Sequence, residues 1–508
     1  MTAHALPDPV TRRMITASVM AATVMTALDA TIANVALPHM RGSVGASQEE
    51  ITWALTSFIV ASAITIPLTG WLANRFGRKR VMLLSVLAFT AASALCGVAN
   101  SITELVAFRI IQGMGGAALI PLSQAILLDI NPPERHGQAM ALWGMGAIIG
   151  PIAGPVLGGW LTDNYSWRWI FFINVPVGIV TYIGLSTYLS ERKEEGVPRL
   201  DFFGFAMLAL GVGSFQLMLD RGQQQDWFTS TEICLEAALA GFFLFAFVVQ
   251  TLTARNPFVD IGLFRDFNFV FGCIFGFVVG VMLFSVMALL PSLLQTLFGY
   301  PVMKTGIVMA PRGIGSLISM MLVGMFIRYF DPRLLVIAGM GLVAYSMYLM
   351  AGMSLLMDEH LVLWSGLFSG LGNGMMFVPL TAVGFATLAQ RYRNEGAAMF
   401  TLIRNMGSAV GISLVQTMAV RGSASEHSRL VEGMRPDNPV LDLRMPGFDF
   451  DAPAAIAMLN GEVTRQAAML SYVHIFTLMF IGILAVTPLV LLMRVPKAGE
   501  APVQIHVE

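Results

Sequence analysis

Charge is scarce in this chain, and several common functional signatures are missing. Only 12% of the 508 residues are charged, against roughly 25% in soluble proteins. The 30 Lys and Arg balance 31 Asp and Glu, so no basic field attracts nucleic acid. Three cysteines and seven unclustered histidines predict neither a disulfide framework nor a metal site. With 56% hydrophobic residues, the composition indicates a polytopic membrane protein.

Long apolar runs predict fourteen membrane spans, since a helix needs about 20 apolar residues to cross a bilayer. Continuous rather than alternating hydrophobicity favours helices over a β-barrel, so the fold class is all-α. The predicted spans are 15–38, 51–73, 81–99, 104–128, 138–161, 169–189, 202–219, 233–253, 268–291, 304–327, 333–354, 361–388, 398–420 and 469–493.

The basic residues predict the orientation, because Lys and Arg accumulate in cytoplasmic loops. With the N-terminus inside, 18 basic residues fall in cytoplasmic segments and 4 in short outside loops. Five more lie in a long outside loop at 421–468, and three lie within spans. The bias of Lys and Arg toward the cytoplasm applies to short loops, so the long loop is not counted. We therefore expect both termini in the cytoplasm.

Two weak internal sequence similarities indicate that the chain consists of two related halves. QGMGGAALIPL (112–122) resembles SGLGNGMMFVPL (369–380), and GWLANRF (70–76) resembles GMFIRYF (324–330), each about 255 residues apart. This predicts two six-helix bundles and an inserted pair of spans. The expected divisions are an N-terminal segment 1–14, a first bundle 15–190, an insert 191–267, a second bundle 268–494 and a tail 495–508.

Charges inside the spans mark candidate functional residues, because a membrane-buried charge is costly and needs a cavity or a partner. Asp29 is the one acid well inside a predicted span, and Arg109 lies inside span 4. We predict Asp29 as proton carrier and Arg109 as its modulator; a purely structural ion pair is the alternative. The predicted substrate cavity between the bundles comprises Asp29, Gln112, Gly113, Arg312, Arg404 and Asn405.

Two glycine-rich segments are candidate conformational elements. In the turn GWLANRFGRKR (70–80), glycine permits the close approach of two helices. The candidate conformational residues of this turn are Gly70, Asn74, Arg75, Gly77, Arg78 and Arg80. Span 5 has a smooth glycine stripe with two helix-bending prolines; its residues are Gly146, Gly150, Pro151, Gly154, Pro155 and Gly158. We expect this stripe to act as a pivot.

These segments together resemble the major facilitator superfamily. Residues 70–80 are similar to its signature between spans 2 and 3, with Asn74 where the family has an acid. LVAFRIIQGMGGA (105–117) resembles its span-4 motif, and GPIAGPVLGG (150–159) its antiporter motif. LDATIANVALP (28–38), WRWIFFINVPVG (167–178) and LDRGQQQDWF (219–228) resemble the fourteen-span drug:proton antiporters, specifically the EmrB-type multidrug efflux permeases.

The resemblance implies a bacterial inner-membrane antiporter, not an enzyme, that exports small hydrophobic or amphipathic compounds by alternating access. The proton motive force would supply the energy, with no cofactor and no nucleic acid. A periplasmic adaptor (membrane fusion protein) and an outer-membrane channel are implied partners beside membrane lipid, with 421–468 the docking candidate. Three buried arginines against one acid favour neutral or weakly acidic substrates. A dedicated metabolite or siderophore exporter remains the alternative.

Overall fold

The computed structural model describes residues 7–132, 135–191, 199–327, 329–434 and 452–493, without the side chains of 48, 49, 151, 152, 302 and 390. The predicted tail 495–508 and the middle of the predicted outside loop lie outside these residues. Within them, fourteen helices are long and apolar enough to span a membrane, which confirms the predicted number.

The membrane-spanning helices are numbered α1 to α14 in chain order. They are α1 Pro9–Val44, α2 Gln48–Phe76, α3 Arg78–Val98, α4 Ile102–Ile130, α5 His136–Asn164, α6 Trp169–Tyr188, α7 Phe202–Arg221, α8 Thr231–Thr253, α9 Phe267–Thr296, α10 Val302–Phe326, α11 Pro332–Ala351, α12 Glu359–Ala386, α13 Arg393–Glu432 and α14 Pro453–Val486. A turn at 117–118 interrupts α4, and Ile173 interrupts α6.

Local sequence signals explain where several helices begin and end. Ser47 and Glu50 form a capping box at the start of α2: the Glu50 amide donates to Ser47 Oγ over 3.1 Å, and the Ser47 amide donates to the Glu50 carboxylate over 2.8 Å. At its other end, Gly77 alone separates α2 from α3. Its φ of 95° lies in the region that favours glycine, so the predicted 70–80 turn is a single residue.

The last two spans are longer than the sequence predicts. Helix α13 has 40 residues and α14 has 34, about 60 and 51 Å at 1.5 Å per residue. A bilayer core is about 30 Å thick. Much of the predicted loop 421–468 is therefore a pair of projecting helices, joined by a His427–Asn460 side-chain hydrogen bond of 3.0 Å. We call residues 421–432 with 453–468 the projecting hairpin.

Helices α1–α6 and α9–α14 form two bundles that meet mainly along two helix pairs, with smaller contacts of α5 with α12 and of α4 with α13. Helix α5 packs against α10, and α2 packs against α13. Under the expected correspondence of the halves, α10 is the counterpart of α2 and α13 that of α5, so the two contacts are equivalent. A methyl group added at Gly144 of α5 would lie 2.9 Å from Met320 Sδ of α10. Small residues thus permit close packing between the bundles.

The inserted helices α7 and α8 lie at the periphery. Helix α7 packs on α2 of the first bundle, where the Thr56 hydroxyl donates to the Asp220 carboxylate. It also reaches the second bundle, where Ser413 Oγ of α13 donates to the Leu219 carbonyl over 2.7 Å. Helix α8 packs mainly on α7 and exposes large apolar side chains, including Phe245. The insert therefore bridges the bundles at one end.

Candidate functional site

Asp29 lies at the centre of a hydrogen-bond network inside the first bundle. Arg109 Nη1 donates to Asp29 Oδ2 over 2.6 Å. Gln112 Nε2 and Asn174 Nδ2 both donate to Asp29 Oδ1, over 2.8 and 2.9 Å. The carboxylate thus accepts three hydrogen bonds from α4 and α6.

The same network satisfies the Arg109 guanidinium. Its Nε donates to the Ala54 carbonyl over 2.8 Å, and Nη1 also donates to Gln112 Oε1 over 2.8 Å. The guanidinium carbon lies 4.2 Å from the Phe58 ring centroid, a cation–π contact. The side chains of Asp29 and Arg109 are 0% and 1% exposed. The predicted pair is therefore a fully buried, well-coordinated ion pair.

Two contributors to this network are absent from the sequence-based prediction. Asn174 of α6 contacts Asp29 and also donates to Ser93 Oγ of α3 over 3.0 Å. Ser93 in turn donates to the Phe171 carbonyl over 2.8 Å. Asn174 lies within the segment 167–178, and its polar amide in an apolar run could have identified it as a candidate site residue from the sequence. The position of Ser93 depends on how α3 and α6 pack.

The glycine stripe of α5 packs directly against the helix that carries Asp29. A methyl group at Gly150 would overlap the backbone of Ala27 and Leu28, and one at Gly158 would lie 2.8 Å from Ile32. Thr31 Oγ1 donates to the Gly150 carbonyl over 3.2 Å. Helix α5 continues through the predicted bend positions Pro151 and Pro155. Helix α5 also contacts α10, so it lies between α1 and the second bundle.

A second polar cluster joins the bundles where α2 ends and α3 begins, which we call the basic end. The Asp129 carboxylate on α4 pairs with Arg78 and, over 2.7 Å, with Arg393 at the start of α13. Asn394 Nδ2 donates to Asn74 Oδ1 across the same interface. An amide pair and a three-member ion cluster therefore hold the two bundles together here.

The remaining residues selected in the 70–80 turn have different surroundings. A methyl group at Gly70 would lie 2.9 Å from the Glu395 Cα, so this glycine permits the close approach of α2 and α13. Arg80 forms an exposed ion pair with Glu191 over 3.5 Å, and Arg75 is exposed. Gly70, Asn74 and Arg78 thus belong to the bundle contact, and Arg75 and Arg80 to the surface.

The predicted substrate residues fall into separate places. Gly113 packs against the backbone of α2 at Phe58. Arg312 is buried in the second bundle, with Nε and Nη2 donating to Ser369 Oγ over 3.2 and 2.6 Å. Arg404 lies at the bundle interface, with its guanidinium carbon 5.7 Å from the Trp143 ring centroid. Asn405 is half-buried on α13.

Comparisons with known proteins identify the family. A model of the Major Facilitator Superfamily matches residues 19–412. The chain is 38% identical to "Multidrug export protein EmrB" of Haemophilus influenzae, covering 93% of each chain. It is 35% identical to "Fatty acid resistance protein FarB" of Neisseria gonorrhoeae, covering 95% of this chain and 96% of that one.

Solved structures share the fold at low sequence identity. The human organic anion transporter MFSD10 superposes with a TM-score of 0.59 at 15% identity, covering 94% of this chain and 100% of that one. The proton:xylose symporter XylE gives 0.56 at 14%, covering 95% and 97%. These matches confirm the predicted fold of two six-helix bundles with an inserted pair. The chain belongs to the major facilitator superfamily.

Proposed function

We propose that this protein is a proton-coupled antiporter that exports small hydrophobic and amphipathic compounds from bacteria across the inner membrane. The names of its relatives support drug export. The single observation that carries the coupling is the buried Asp29–Arg109 pair. It places a titratable carboxylate where a proton can change both the local charge and the packing of α1.

Protonation of Asp29 removes the charge that balances Arg109. The guanidinium keeps its contacts with Ala54 and Gln112, but it becomes a buried cation without a counter-ion, which is unfavourable. A conformation that hydrates either group relieves that penalty. The close α1–α5 contact at Gly150 transmits the change to α10 in the second bundle. Proton binding is thereby linked to the opening of the transporter toward one side of the membrane.

The proton motive force supplies enough energy for this cycle. One proton moving inward yields about 2.3 kcal/mol per 100 mV and about 1.4 kcal/mol per pH unit. A single proton therefore supports a tenfold to hundredfold gradient of a neutral substrate. The uneven distribution of Lys and Arg supports a topology with both termini in the cytoplasm. The basic end then faces the cytoplasm and the projecting hairpin faces the periplasm.

We also propose that the projecting hairpin docks a periplasmic adaptor, which leads to an outer-membrane channel. Its helices extend beyond the bilayer and expose apolar side chains, including Met458 at 78% and Ile456 at 46%. An aspartate at Met458 should weaken copurification with the adaptor and leave transport in proteoliposomes unchanged. Unchanged copurification would argue against this docking surface.

The antiport proposal is tested with purified protein in proteoliposomes that carry a pH gradient and a fluorescent lipophilic dye. We expect the Asp29→Asn variant to bind dye but to lose gradient-driven transport, because an amide cannot take up and release the proton. Asp163→Asn alters an exposed acid near the end of α5 and is the matched control. Gradient-driven transport by Asp29→Asn at the wild-type rate would refute the carrier assignment.

A further inference from the structure

An apolar groove with a volume of about 350 Å³ lies between α9 and α13 of the second bundle. Every side chain that lines it is hydrophobic. Those that the argument uses are Val270, Ile274 and Phe277 of α9 and Ile403 of α13. Ile274 is 46% exposed, so the groove is open along one side.

The open side of the groove faces lipid and not the interface between the bundles. The bundles are in contact at the basic end, so a space between them there would be lined by both. Among the residues that the structure describes, none from the first bundle lines this groove. On α13, Arg404 is directed at Trp143 of the first bundle, whereas Ile403 lies about 100° away around the helix. The groove therefore lies on the outer surface of the second bundle.

The depth of the groove matches the acyl chains of one leaflet. Helix α9 starts at Phe267, and the groove follows it from Val270 to Val278, about 5 to 17 Å from that start at 1.5 Å per residue. Half of the hydrocarbon core measures about 15 Å. An acyl chain gains little by entering the groove, however, because the bilayer that it leaves is already apolar. Selection of one kind of lipid must therefore come from its head group.

Two exposed arginines lie at the end of the groove where a head group would lie. A short 3-10 helix, Ile261–Arg265, leads into α9. Its Phe264 lines the groove, and the next residue, Arg265, is exposed. The Arg265 guanidinium forms no hydrogen bond or ion pair with the residues that the structure describes.

The second arginine, Arg391, is brought to the same place by Tyr392, which precedes α13. Tyr392 packs against the 3-10 helix, where a methyl group added at Gly262 would lie 2.5 Å from the tyrosine hydroxyl. Arg391 is exposed and donates to that hydroxyl over 2.9 Å. Its guanidinium carbon lies 4.6 Å from the Tyr392 ring centroid. Arg391 and the 3-10 helix that ends at Arg265 therefore lie on opposite sides of one tyrosine.

The two acids of this region are held by neutral donors. Asp260 accepts from the Tyr392 hydroxyl over 3.0 Å, and Asp266 accepts from the Thr387 hydroxyl over 2.9 Å. Both carboxylates also accept from backbone amides at the start of the helix that follows them. In the described part of the chain, neither forms an ion pair with either arginine. Both guanidinium groups can therefore bind an anion.

An arginine matches the oxygen atoms of a phosphate with two parallel hydrogen bonds, and basic pockets between membrane helices bind anionic head groups. We propose that the groove together with Arg265 and Arg391 (the lipid site) binds one anionic phospholipid. One acyl chain lies between α9 and α13, and the phosphate lies at the two arginines. The lipid site requires only that the second bundle spans a bilayer, so it is independent of the proposed antiport function.

The experiment compares two lipids with the same acyl chains, dioleoyl phosphatidylglycerol and dioleoyl phosphatidylcholine. Mass spectrometry of the intact full chain in detergent counts the bound lipid molecules as each lipid is added, and the apparent melting temperature is measured in parallel. We expect phosphatidylglycerol to bind at least fivefold more tightly, because only it carries a net negative charge. It should also raise the melting temperature, since a ligand that binds only the folded protein stabilises it. Added salt should weaken its binding, because exposed charges are screened.

Substitutions at both ends of the lipid site test its position. Arg265→Gln and Arg391→Gln should each weaken phosphatidylglycerol binding about fivefold, because each removes a positive charge. Ile274→Trp should weaken it by a similar factor, because the indole fills the groove. The matched controls are Arg13→Gln, at an exposed arginine near the start of α1, and Ile183→Trp, at a residue of α6 that is 58% exposed. Both controls should bind phosphatidylglycerol as the wild type does.

Several outcomes would overturn the lipid site. Equal affinity of the wild-type protein for the two lipids would refute it, and this comparison needs no variant to fold. A loss of binding in Arg13→Gln as large as that in Arg265→Gln would mean that anionic lipid collects on the basic surface in general. Unchanged phosphatidylglycerol binding in Ile274→Trp would show that the groove holds no lipid. If that variant instead loses binding of Nile red, the groove binds a transported compound.

Discussion

Asn174 shows how a neutral residue controls a charged one. It donates to the Asp29 oxygen that also accepts from Gln112, so it helps to fix the position of the carboxylate. It also holds Ser93 of α3 in the same network. Asn174 is therefore a positioning residue for Asp29, the proposed proton carrier.

Removing the Asn174 amide should weaken the positioning of the Asp29 carboxylate. For Asn174→Ala, we expect dye binding close to that of the wild type but gradient-driven transport in proteoliposomes about tenfold slower. A hydrogen bond to a charged group contributes about 1.5 kcal/mol or more, and a tenfold change in rate corresponds to about 1.4 kcal/mol.

The matched control is Asn164→Ala, which removes an exposed amide bonded only to the Trp160 carbonyl over 2.8 Å in the described structure. Its dye binding and transport rate should match those of the wild type. Transport by Asn174→Ala at the wild-type rate would contradict the role given to Asn174.

Residues that carry charge were easier to predict than those that do not. Asp29 and Arg109 stand out in the sequence because membrane-buried charges are rare, and the structure pairs them. Asn174 and Ser93 are neutral residues within apolar helices, and their importance depends on the hydrogen bonds that connect them to Asp29 and to each other. Those relations arise from packing between helices distant in sequence, which no local pattern encodes.

At the scale of helices, the α1–α5 contact depends on glycine at one face. The Gly150 position leaves no space for a methyl group beside Ala27 and Leu28. Gly150→Ala should therefore destabilise the protein by about 1–3 kcal/mol, the usual cost of overpacking, and slow transport. Apparent melting temperature in detergent and transport rate measure the two effects.

Gly241→Ala provides the comparison for that substitution. Gly241 lies on α8 with nothing within 4 Å of an added methyl group, so its melting temperature and transport rate should equal those of the wild type. A Gly150→Ala variant as stable and active as Gly241→Ala would show that the α1–α5 contact tolerates separation.

Helix number was predictable, but the ends of α13 and α14 were not. Hydropathy detects the apolar core of each span and predicts 398–420 and 469–493. The structure continues these helices to Glu432 and back to Pro453. Polar helical turns outside the bilayer are stabilised by their own packing, such as the His427–Asn460 contact, and carry no hydrophobic signal.

For the whole molecule, the basic end holds the bundles together through Asp129. Its carboxylate pairs with Arg78 of its own bundle and Arg393 of the other. Replacing it by asparagine removes the carboxylate that the two arginines share, and breaking a buried ion pair typically costs about 3–5 kcal/mol. Asp129→Asn should therefore shift the population toward molecules open at this end.

Distances between spin labels at positions 76 and 391 measure that opening, after replacement of the exposed Cys234. We expect a longer distance for Asp129→Asn than for the unsubstituted protein. Glu191→Gln removes the acid of a more exposed pair at the same end and should leave the distance unchanged, since such pairs contribute little. The same distance in Asp129→Asn and the unsubstituted protein would mean that the amide pair and apolar contacts suffice for closure.

The inserted pair has a mechanical consequence for transport. At one end of the insert, α7 forms hydrogen bonds with Thr56 of the first bundle and Ser413 of the second. Trp227, in the connection between α7 and α8, donates a further hydrogen bond to Thr417 of the second bundle. If the bundles separate at this end, α7 can travel with only one of them, and its bonds to the other must break. The hydrogen bonds of the insert therefore oppose separation of the two bundles at this end. When they form again, they favour closure of this end after the substrate has been released.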